Sequence, residues 1–236
     1  EGTLGIMTKA QMRIYDQPEV RKFRGFLFKN MSDAFSASRE LLQKFKPSVM
    51  RLYNEAETAS HIKKIVGVEK PGAFMNLAIE GVSEIVAVEE KIMLDTFAKY
   101  HAEDLGSEYG EKWWNEKITF FYPGHMMDLP QLFGTMDTIA PYDKIENIYW
   151  AMKEAIETNF PMAKFIAHFS HWYEWGCMIY DRFIVDNPPQ DPHEALRLHN
   201  AIWSLGVRTA IANGGVVNDH HGVGIKLGRL MKEQYG

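Results

Sequence analysis

The feature that most constrains the fold is an alternation of strand-like and helix-like segments through the first half of the chain. Short runs rich in apolar residues are each followed by a segment whose apolar residues recur at helical spacing. The strand patterns are residues 23–28, 48–53 and 73–79. The helical patterns are residues 30–45, residues 55–64 and the segment after Ser83. Asn30 or Ser32 can cap the first of these helices. The third is expected to bury Ile85, Val88, Ile92 and Phe97.

The second half continues this order and adds a hairpin. Residues 109–117 and 143–158 have helical patterns, and residues 132–140 have a strand pattern. Two strand patterns, 163–170 and 176–185, then follow one another closely before a helix over 192–212 that ends at Asn213-Gly214-Gly215. This order predicts an α+β fold, in which a mostly antiparallel sheet of ferredoxin-like passages has helices packed on one face.

Composition limits the kind of protein. The 236 residues, of which 46% are hydrophobic and 24% charged, suffice for one large domain or one domain with an appendage. A net charge of −5 gives no reason to expect a nucleic acid as partner. The single cysteine, Cys177, excludes an internal disulfide framework and a Cys-rich zinc site.

The residues most typical of chemistry lie in the segment 214–224, GGVVNDHHGVG. Its four glycines allow tight turns and let a planar ligand approach the backbone closely. His220 and His221 stand among them, and histidine is the side chain that titrates near neutral pH. A histidine that only packs in the core normally sits in a helix or strand, so this pattern favours a functional site.

The same segment resembles the His-His-His-Gly-Val-Gly signature of the alkyl-dihydroxyacetonephosphate synthases, a branch of the FAD-linked oxidase superfamily. D-lactate and glycolate dehydrogenases of that superfamily have a Glu-His-Gly-Ile-Gly version. Asp219 stands where the synthases have their first histidine, and His220 and His221 match the second and third. His221 therefore fits both branches, whereas His220 favours the synthases.

Four further segments match this superfamily in the same order along the chain. They are EGTLGI at 1–6, PSVMRL at 47–52, DTIAPYD at 137–143 and GCMIY at 176–180. The resemblance implies that Arg51 binds the acid or phosphate end of a substrate, which suits the paired hydrogen bonds of a guanidinium. It also implies an active-site role for Tyr180, with core packing as the alternative. Strand alternation places Tyr180 and Arg182 on one face and Asp181 on the other.

The resemblance also implies a cofactor and a domain plan. FAD would be held mainly by an N-terminal domain that this chain lacks, with Asp219, Gly222 and Gly224 contacting it here. Residues 1–22 would end the FAD-binding domain, 23–213 would form the cap or substrate-binding domain, and 214–236 the active-site loop. We therefore expect a chain cut at both ends and inactive by itself, so that any targeting signal of the parent protein would be lost with the removed segments.

Three functions follow from the resemblance and its alternatives. The first is synthase-like exchange of an acyl for an alkyl chain in ether-lipid synthesis. The second is FAD-dependent oxidation of a 2-hydroxy acid such as D-lactate or glycolate, and the third is a non-catalytic α+β binding module. The expected partner is an acidic or phosphorylated, lipid-like small molecule, the expected location is the cytoplasm or the periphery of a membrane, and a homodimer is compatible with the sequence.

A metal site is not expected. His168, His171 and Glu174 are ligand types, but regular alternation along a strand would place His168 and His171 on opposite faces. The dehydrogenase branch has a His-x-Gly-Asp-Gly-Asn-x-His stretch linked to metal binding, and the sequence has no such stretch. Trp113 is expected in the core or in a pocket wall.

Overall fold

A computed structural model describes residues 5–118 and 131–236. Its strands form one seven-stranded sheet in the order β4-β1-β3-β2-β6-β7-β5, and neighbouring strands run antiparallel. The strands are β1 (Val20–Phe28), β2 (Val49–Tyr53), β3 (Ala73–Gly81), β4 (Glu103–Gly106), β5 (Leu132–Pro141), β6 (Ala163–Trp172) and β7 (Gly176–Val185). The predicted α+β class with an antiparallel sheet is confirmed.

The helices follow the predicted order closely. They are α1 (Met31–Leu42), α2 (Glu55–Glu57), α3 (Lys63–Val66), α4 (Ser83–Lys99), α5 (Ser107–Glu116), α6 (Ile145–Asn159), α7 (Pro192–Ala212), α8 (Gly224–Gly228) and α9 (Met231–Tyr235). A π-helical turn, Thr58–Ile62, joins α2 to α3. Asn30 is the cap of α1, because its side-chain oxygen accepts a hydrogen bond from the backbone N–H of Asp33 at 2.9 Å.

Strand alternation divides the buried side chains between the two faces of the sheet. One face carries the larger core, to which β6 contributes Phe165 and Phe169, and it is covered by long helices such as α6. The other face carries a smaller apolar cluster that includes Leu27 and Phe74, packed against the segment containing α3 and against α5. These shorter helices cover only part of their face, and a pocket lies beside them.

The edge of that pocket depends on a bulge in β6. Phe169 pairs with Ile179, and Trp172 pairs with Cys177, so three steps along β6 match two along β7. The extra residue reverses the alternation, as β-bulges do. His168 and His171 consequently line the same pocket, and the prediction that they lie on opposite faces was wrong.

Other expectations need correction. The apolar stripe predicted for α4 is only partly buried, because Ile85 and Val88 are each 58% exposed while Val86 and Met93 face the core. Alternating small and apolar residues over 2–14 predict a strand, but residues 5–14 form none, and residues 1–4 lie outside the described residues. Within the two described stretches, no helix has the length and apolarity needed to cross a membrane.

Candidate active site

A pocket of about 250 Å³ lies on the partly covered face of the sheet. It brings together Arg51 from β2, Tyr180 from β7, and His220 and His221 from the loop after α7, which are separated widely in sequence. Its other lining residues are Tyr53, Glu57, Trp113, Lys117, His168, Ser170, His171 and Arg182. The four predicted catalytic and substrate-binding residues therefore share one cavity, although their roles stay predictions.

The histidine loop is anchored to β5 by backbone contacts. Val216 and Ile139 exchange two backbone hydrogen bonds of 2.9 Å, which form an isolated antiparallel bridge. Gly215 lies so close to β5 that a Cβ there would come within 2.6 Å of the Thr138 side chain. A glycine is therefore required at this point for the loop to reach the sheet.

The carboxylate of Asp137 on β5 holds the histidine loop through hydrogen bonds. Its carboxylate, 4% exposed, accepts hydrogen bonds from the backbone N–H groups of Asp219 at 2.7 Å and His220 at 3.2 Å. Its other oxygen lies 3.0 Å from His221 Nδ1. A carboxylate only accepts hydrogen bonds, so Nδ1 of His221 carries the proton and Nε2 is left as the basic nitrogen when the ring is neutral.

Asp219 is also bound within the protein. Its carboxylate lies 2.5 Å from His171 Nδ1 and accepts a hydrogen bond of 3.1 Å from the Tyr173 hydroxyl. His220 Nδ1 lies 3.3 Å from the same carboxylate. The predicted contact of Asp219 with the cofactor stays a prediction, and its observed partners give it a role in holding the loop.

Partial burial lowers the pKa of His220, and the neighbouring ring of His221 lowers it further. The centroids of these two rings are 4.0 Å apart. The lower pKa favours the neutral ring near neutral pH, a state in which histidine can accept a proton.

Tyr180 and Arg182 both line the pocket, which agrees with the strand alternation that places them on one face of β7. The Tyr180 ring stacks on His168 at 4.8 Å between centroids and meets the His221 ring edge-on at 5.2 Å. Burial raises the pKa of the Tyr180 hydroxyl, so the group keeps its proton near neutral pH. It can therefore donate a hydrogen bond to a ligand oxygen.

Arg51 belongs to a buried polar cluster with Glu57, His168 and Arg182. Arg51 Nη2 lies 3.1 Å from His168 Nε2, and His168 Nδ1 lies 3.2 Å from a carboxylate oxygen of Glu57. Arg182 donates a hydrogen bond to the other oxygen of Glu57. Burial alone would raise the pKa of Glu57, but Arg182 and His168 outweigh it and hold the pKa at about 2. The carboxylate is therefore ionised.

Sequence reasoning missed Glu57, His168 and Asp137 as site residues. Glu57 and His168 are 111 positions apart, so only the folded sheet shows that they meet. A signal for Asp137 did exist, because the residue belongs to the segment 137–143 that resembles the superfamily. It lies two residues before Ile139, which pairs with Val216, and so it lies close to the histidine loop.

Two groups of residues could hold a cofactor or a cation. The loop backbone at Gly222 and Gly224 adopts positive φ angles of 86° and 53°. A Cβ at Gly224 would meet nothing within 4 Å, so there is space for a planar ring to approach the backbone there. His171, Asp219 and His220 place one ligand atom each within 4.8 Å of one another, an arrangement that suits a divalent cation although none was expected.

Fold and site together define an α+β domain with a histidine-lined pocket on an antiparallel sheet. The chain belongs to the family of FAD linked oxidases, C-terminal domain, whose sequence profile matches residues 17–236. The family assignment made from the sequence is thereby confirmed.

Individual relatives represent both branches. The alkyldihydroxyacetonephosphate synthase of Dictyostelium discoideum is 25% identical over 95% of this chain and 41% of its own length. A Danio rerio protein named "Probable D-lactate dehydrogenase, mitochondrial" is 23% identical over 100% of this chain and 47% of its own length. A solved alkyldihydroxyacetonephosphate synthase structure superposes with a TM-score of 0.70 at 20% identity, covering 86% of this chain and 41% of that one. The chain thus spans less than half the length of these relatives.

Proposed function

We propose that this chain forms the substrate-binding and proton-transfer half of a flavin-dependent enzyme that acts on an acidic or phosphorylated small molecule. The observation that carries the proposal is the single pocket in which Arg51, Tyr180, His220 and His221 converge. Membership of the FAD linked oxidase family supports it.

Charge in the pocket favours an anionic ligand. Arg51 and Arg182 are cations, Glu57 is one buried anion, and His168 is neutral because burial lowers its pKa to about 4. This cluster therefore has one positive charge in excess. A carboxylate or phosphate that binds Arg51 would balance it and gain charge-assisted hydrogen bonds.

Proton transfer is assigned to His221. Asp137 holds its Nδ1–H, which leaves Nε2 to take a proton from the substrate or return one. The rings of His220 and Tyr180 lie next to the His221 ring, with centroids 4.0 and 5.2 Å away, so both residues are candidates to assist the proton transfer. FAD, when bound, supplies the redox-active ring, and Gly222, Gly224 and the two loop histidines would lie against it.

The reaction favoured first is acyl-to-alkyl exchange on a dihydroxyacetone phosphate ester, which the resemblance to the alkyldihydroxyacetonephosphate synthases implies. The paired His220-His221 of the loop supports it, together with the identity to the Dictyostelium synthase. The substrate would then be lipid-like, and we propose a location in the cytoplasm or at the periphery of a membrane.

Oxidation of a 2-hydroxy acid is the second candidate, and Asp219 favours it. Asp219 stands where the synthase signature has its first histidine, and its carboxylate is bound to His171 and Tyr173 within the protein. In this reaction Arg51 would bind the substrate carboxylate, and His221 would remove the hydroxyl proton.

Parallel assays of the flavin-loaded full-length enzyme, of which we propose that this chain is one half, separate these functions. Acyl-dihydroxyacetone phosphate with a fatty alcohol is expected to give the alkyl product and free fatty acid. Reduction of a dye acceptor by D-lactate or glycolate would instead establish the dehydrogenase. A flavin-loaded protein that binds phosphate but turns over none of these substrates would support the third reading, a binding module without catalysis.

A further inference from the structure

His168 has no part in the chemistry proposed above, yet it is one of the most constrained side chains of the pocket. It is 7% exposed and touches groups from three elements. Glu57 of α2 lies at Nδ1, Arg51 and Tyr53 approach from β2, and Tyr180 and Arg182 approach from β7. These are the charged and titratable groups that face the ring.

Glu57 determines which nitrogen of His168 carries the proton. Both carboxylate oxygens lie near Nδ1, at 3.3 and 3.2 Å, and a carboxylate can only accept. Burial lowers the pKa of His168 to about 4, so the ring is neutral at physiological pH and keeps a lone pair on Nε2.

That lone pair faces a guanidinium group. Arg51 Nη2 lies 3.1 Å from His168 Nε2, and a guanidinium can only donate, so Arg51 donates this hydrogen bond. The Arg51 guanidinium carbon also lies 5.7 Å from the centroid of the Trp113 ring. Arg51 is thus oriented by one directional acceptor and one aromatic ring.

Arg51 retains unused donor capacity. Its Nε is buried and has no hydrogen-bond partner among residues 5–118 and 131–236. A buried donor without a partner is costly. Arg51 also lines the pocket, where its guanidinium can donate to an anionic ligand. The observed orientation therefore suits a guanidinium held ready for an anion.

We propose that His168 is a positioning residue, whose Nε2 holds the Arg51 guanidinium in the orientation that receives an anionic oxygen of the substrate, with Glu57 fixing the required tautomer. The proposal rests on the proposed function, in which Arg51 binds the acidic or phosphate group. It gives the buried Glu57–His168 pair a specific task in ligand recognition.

Calorimetric titration with inorganic phosphate tests this arrangement directly. His168→Phe keeps an aromatic ring against Tyr180 but removes the acceptor, and it should weaken phosphate binding about 3- to 10-fold, the effect of one ordinary hydrogen bond. His168→Gln, whose side-chain carbonyl can accept from Arg51, should restore affinity to within about 3-fold of the unmodified protein. Arg51→Ala should weaken binding more than either.

A double-mutant cycle shows whether His168 acts through Arg51. In an Arg51→Ala background, His168→Phe should add almost nothing, because the group that it positions is gone. An equal loss in both backgrounds would overturn the positioning role. Phosphate binding that survives Arg51→Ala would instead overturn Arg51 as the anion site, and with it the proposed function.

A measurement on the unmodified protein avoids any folding defect of the variants. Nitrogen-15 spectra of labelled histidines should show His168 neutral and protonated on Nδ1 from about pH 5.5 to pH 8. Its Nε2 resonance should shift when phosphate is added. An Nε2-protonated ring, or an Nε2 signal that phosphate does not move, would contradict the proposal.

Discussion

At the scale of single residues, two histidines of the pocket show how burial decides what a carboxylate-bound imidazole can do. His168 and His221 each have Nδ1 beside a carboxylate, Glu57 and Asp137 respectively. The side chain of His168 is 9% exposed and that of His221 is 40% exposed. Burial holds the first neutral, so that it can accept a hydrogen bond, whereas the ring of the second is open to a ligand, as its proposed role in proton transfer requires.

Replacement of His221 tests this assignment. In the flavin-loaded full-length enzyme that contains this chain, His221→Ala should slow flavin reduction or product formation by at least about 100-fold, the usual contribution of a general acid or base. Asp137→Asn should also slow it, because an amide can donate to Nδ1 and so reverse the tautomer. Stopped-flow spectroscopy with the true substrate measures both rates.

His220→Ala is the matched control from the same loop. It should have a smaller effect than His221→Ala in a hydroxy-acid dehydrogenase and a comparable effect in a synthase. Thermal unfolding should change little for His221→Ala, since a partly exposed loop side chain has few packing contacts to lose. A normal rate in His221→Ala would remove the residue from the mechanism.

Asp181 provides a prediction about stability. It faces the larger core from β7, and neither carboxylate oxygen has a hydrogen-bond partner in the described parts of the chain. Burial raises its pKa well above the ordinary 3.8. Asp181→Val should therefore raise the free energy of unfolding at pH 7 by about 1–3 kcal/mol in urea titrations, because it removes an unpaired buried polar group.

The pH dependence of this effect has a definite sign. Below pH 3.8 the carboxyl is protonated in both the folded and the unfolded state, so its titration contributes nothing to stability. As the pH rises, only the unfolded state ionises, and unmodified Asp181 increasingly favours unfolding. Asp181→Asn should remove this slope but recover less stability than Asp181→Val. A variant no more stable than the original at pH 7 would contradict the account.

At the scale of helices and strands, the asparagine caps of α1 and α2 allow a helix beside the pocket to be compared with one away from it. The Asn54 side chain accepts a hydrogen bond of 2.9 Å from the backbone N–H of Glu57 and so begins α2 beside the pocket, while Asn30 begins α1 elsewhere. Asn30→Ala should lower the free energy of unfolding by about 1 kcal/mol. Asn54→Ala should lower it further, because the buried Asn54 side chain also donates a hydrogen bond of 3.2 Å to the Tyr149 hydroxyl. Only Asn54→Ala should also weaken phosphate binding, because it loosens the helix that holds Glu57.

Thermal unfolding and calorimetric titration of both variants provide the comparison. Equal phosphate affinity in the two variants would show that the position of Glu57 does not affect Arg51. Equal loss of affinity would show that general destabilisation, rather than α2, weakens the pocket.

The sequence predicted helices and strands well wherever the local residue pattern determines where they begin and end. Helix α7 spans the predicted Pro192–Ala212, because Asp191 caps its start and glycines follow its end. The short β4 was missed, since four residues give little periodicity. The stripe through Ile85 and Val88 was assigned to the core because spacing alone cannot show which face of α4 meets the sheet.

The sequence predicted the residues of the site that stand in motifs, but not the residues that hold them in place. Glycines and adjacent histidines are visible in the sequence, so the loop and His221 could be found. The bulge after Phe169, which brings His171 to the pocket, depends on pairing with β7 and has no local signature. Contacts such as Glu57 with His168 arise only when distant strands assemble.

At the scale of the whole molecule, the sheet holds the pocket together through neighbouring strands. Arg51 on β2 is joined to β6 through the pairing of Leu52 with Phe169, and β6 pairs in turn with β7, which carries Tyr180. The histidine loop is tied to β5 at the sheet edge. Residues that are remote in sequence are thereby held at fixed separations, as an anion site beside a proton-transfer site requires.

The last prediction concerns FAD. The chain matches the C-terminal domain of its family and spans 41% of the Dictyostelium synthase. The flavin contacts proposed for it, Asp219, His220, His221, Gly222 and Gly224, all lie in one loop, which is a small area for a dinucleotide. Because affinity must exceed the entropic cost of association, so few contacts should not retain the cofactor.

The chain should therefore purify without flavin colour. Visible absorbance after gel filtration in the presence of added FAD measures retention, and the absorbance should be lost from the protein peak. Phosphate binding through Arg51 should persist in the same preparation, since every residue of that cluster belongs to this chain, and it serves as the control for folding. A yellow protein with one flavin per chain would show that this chain binds FAD by itself. That result would contradict the proposal that a separate domain holds most of the cofactor.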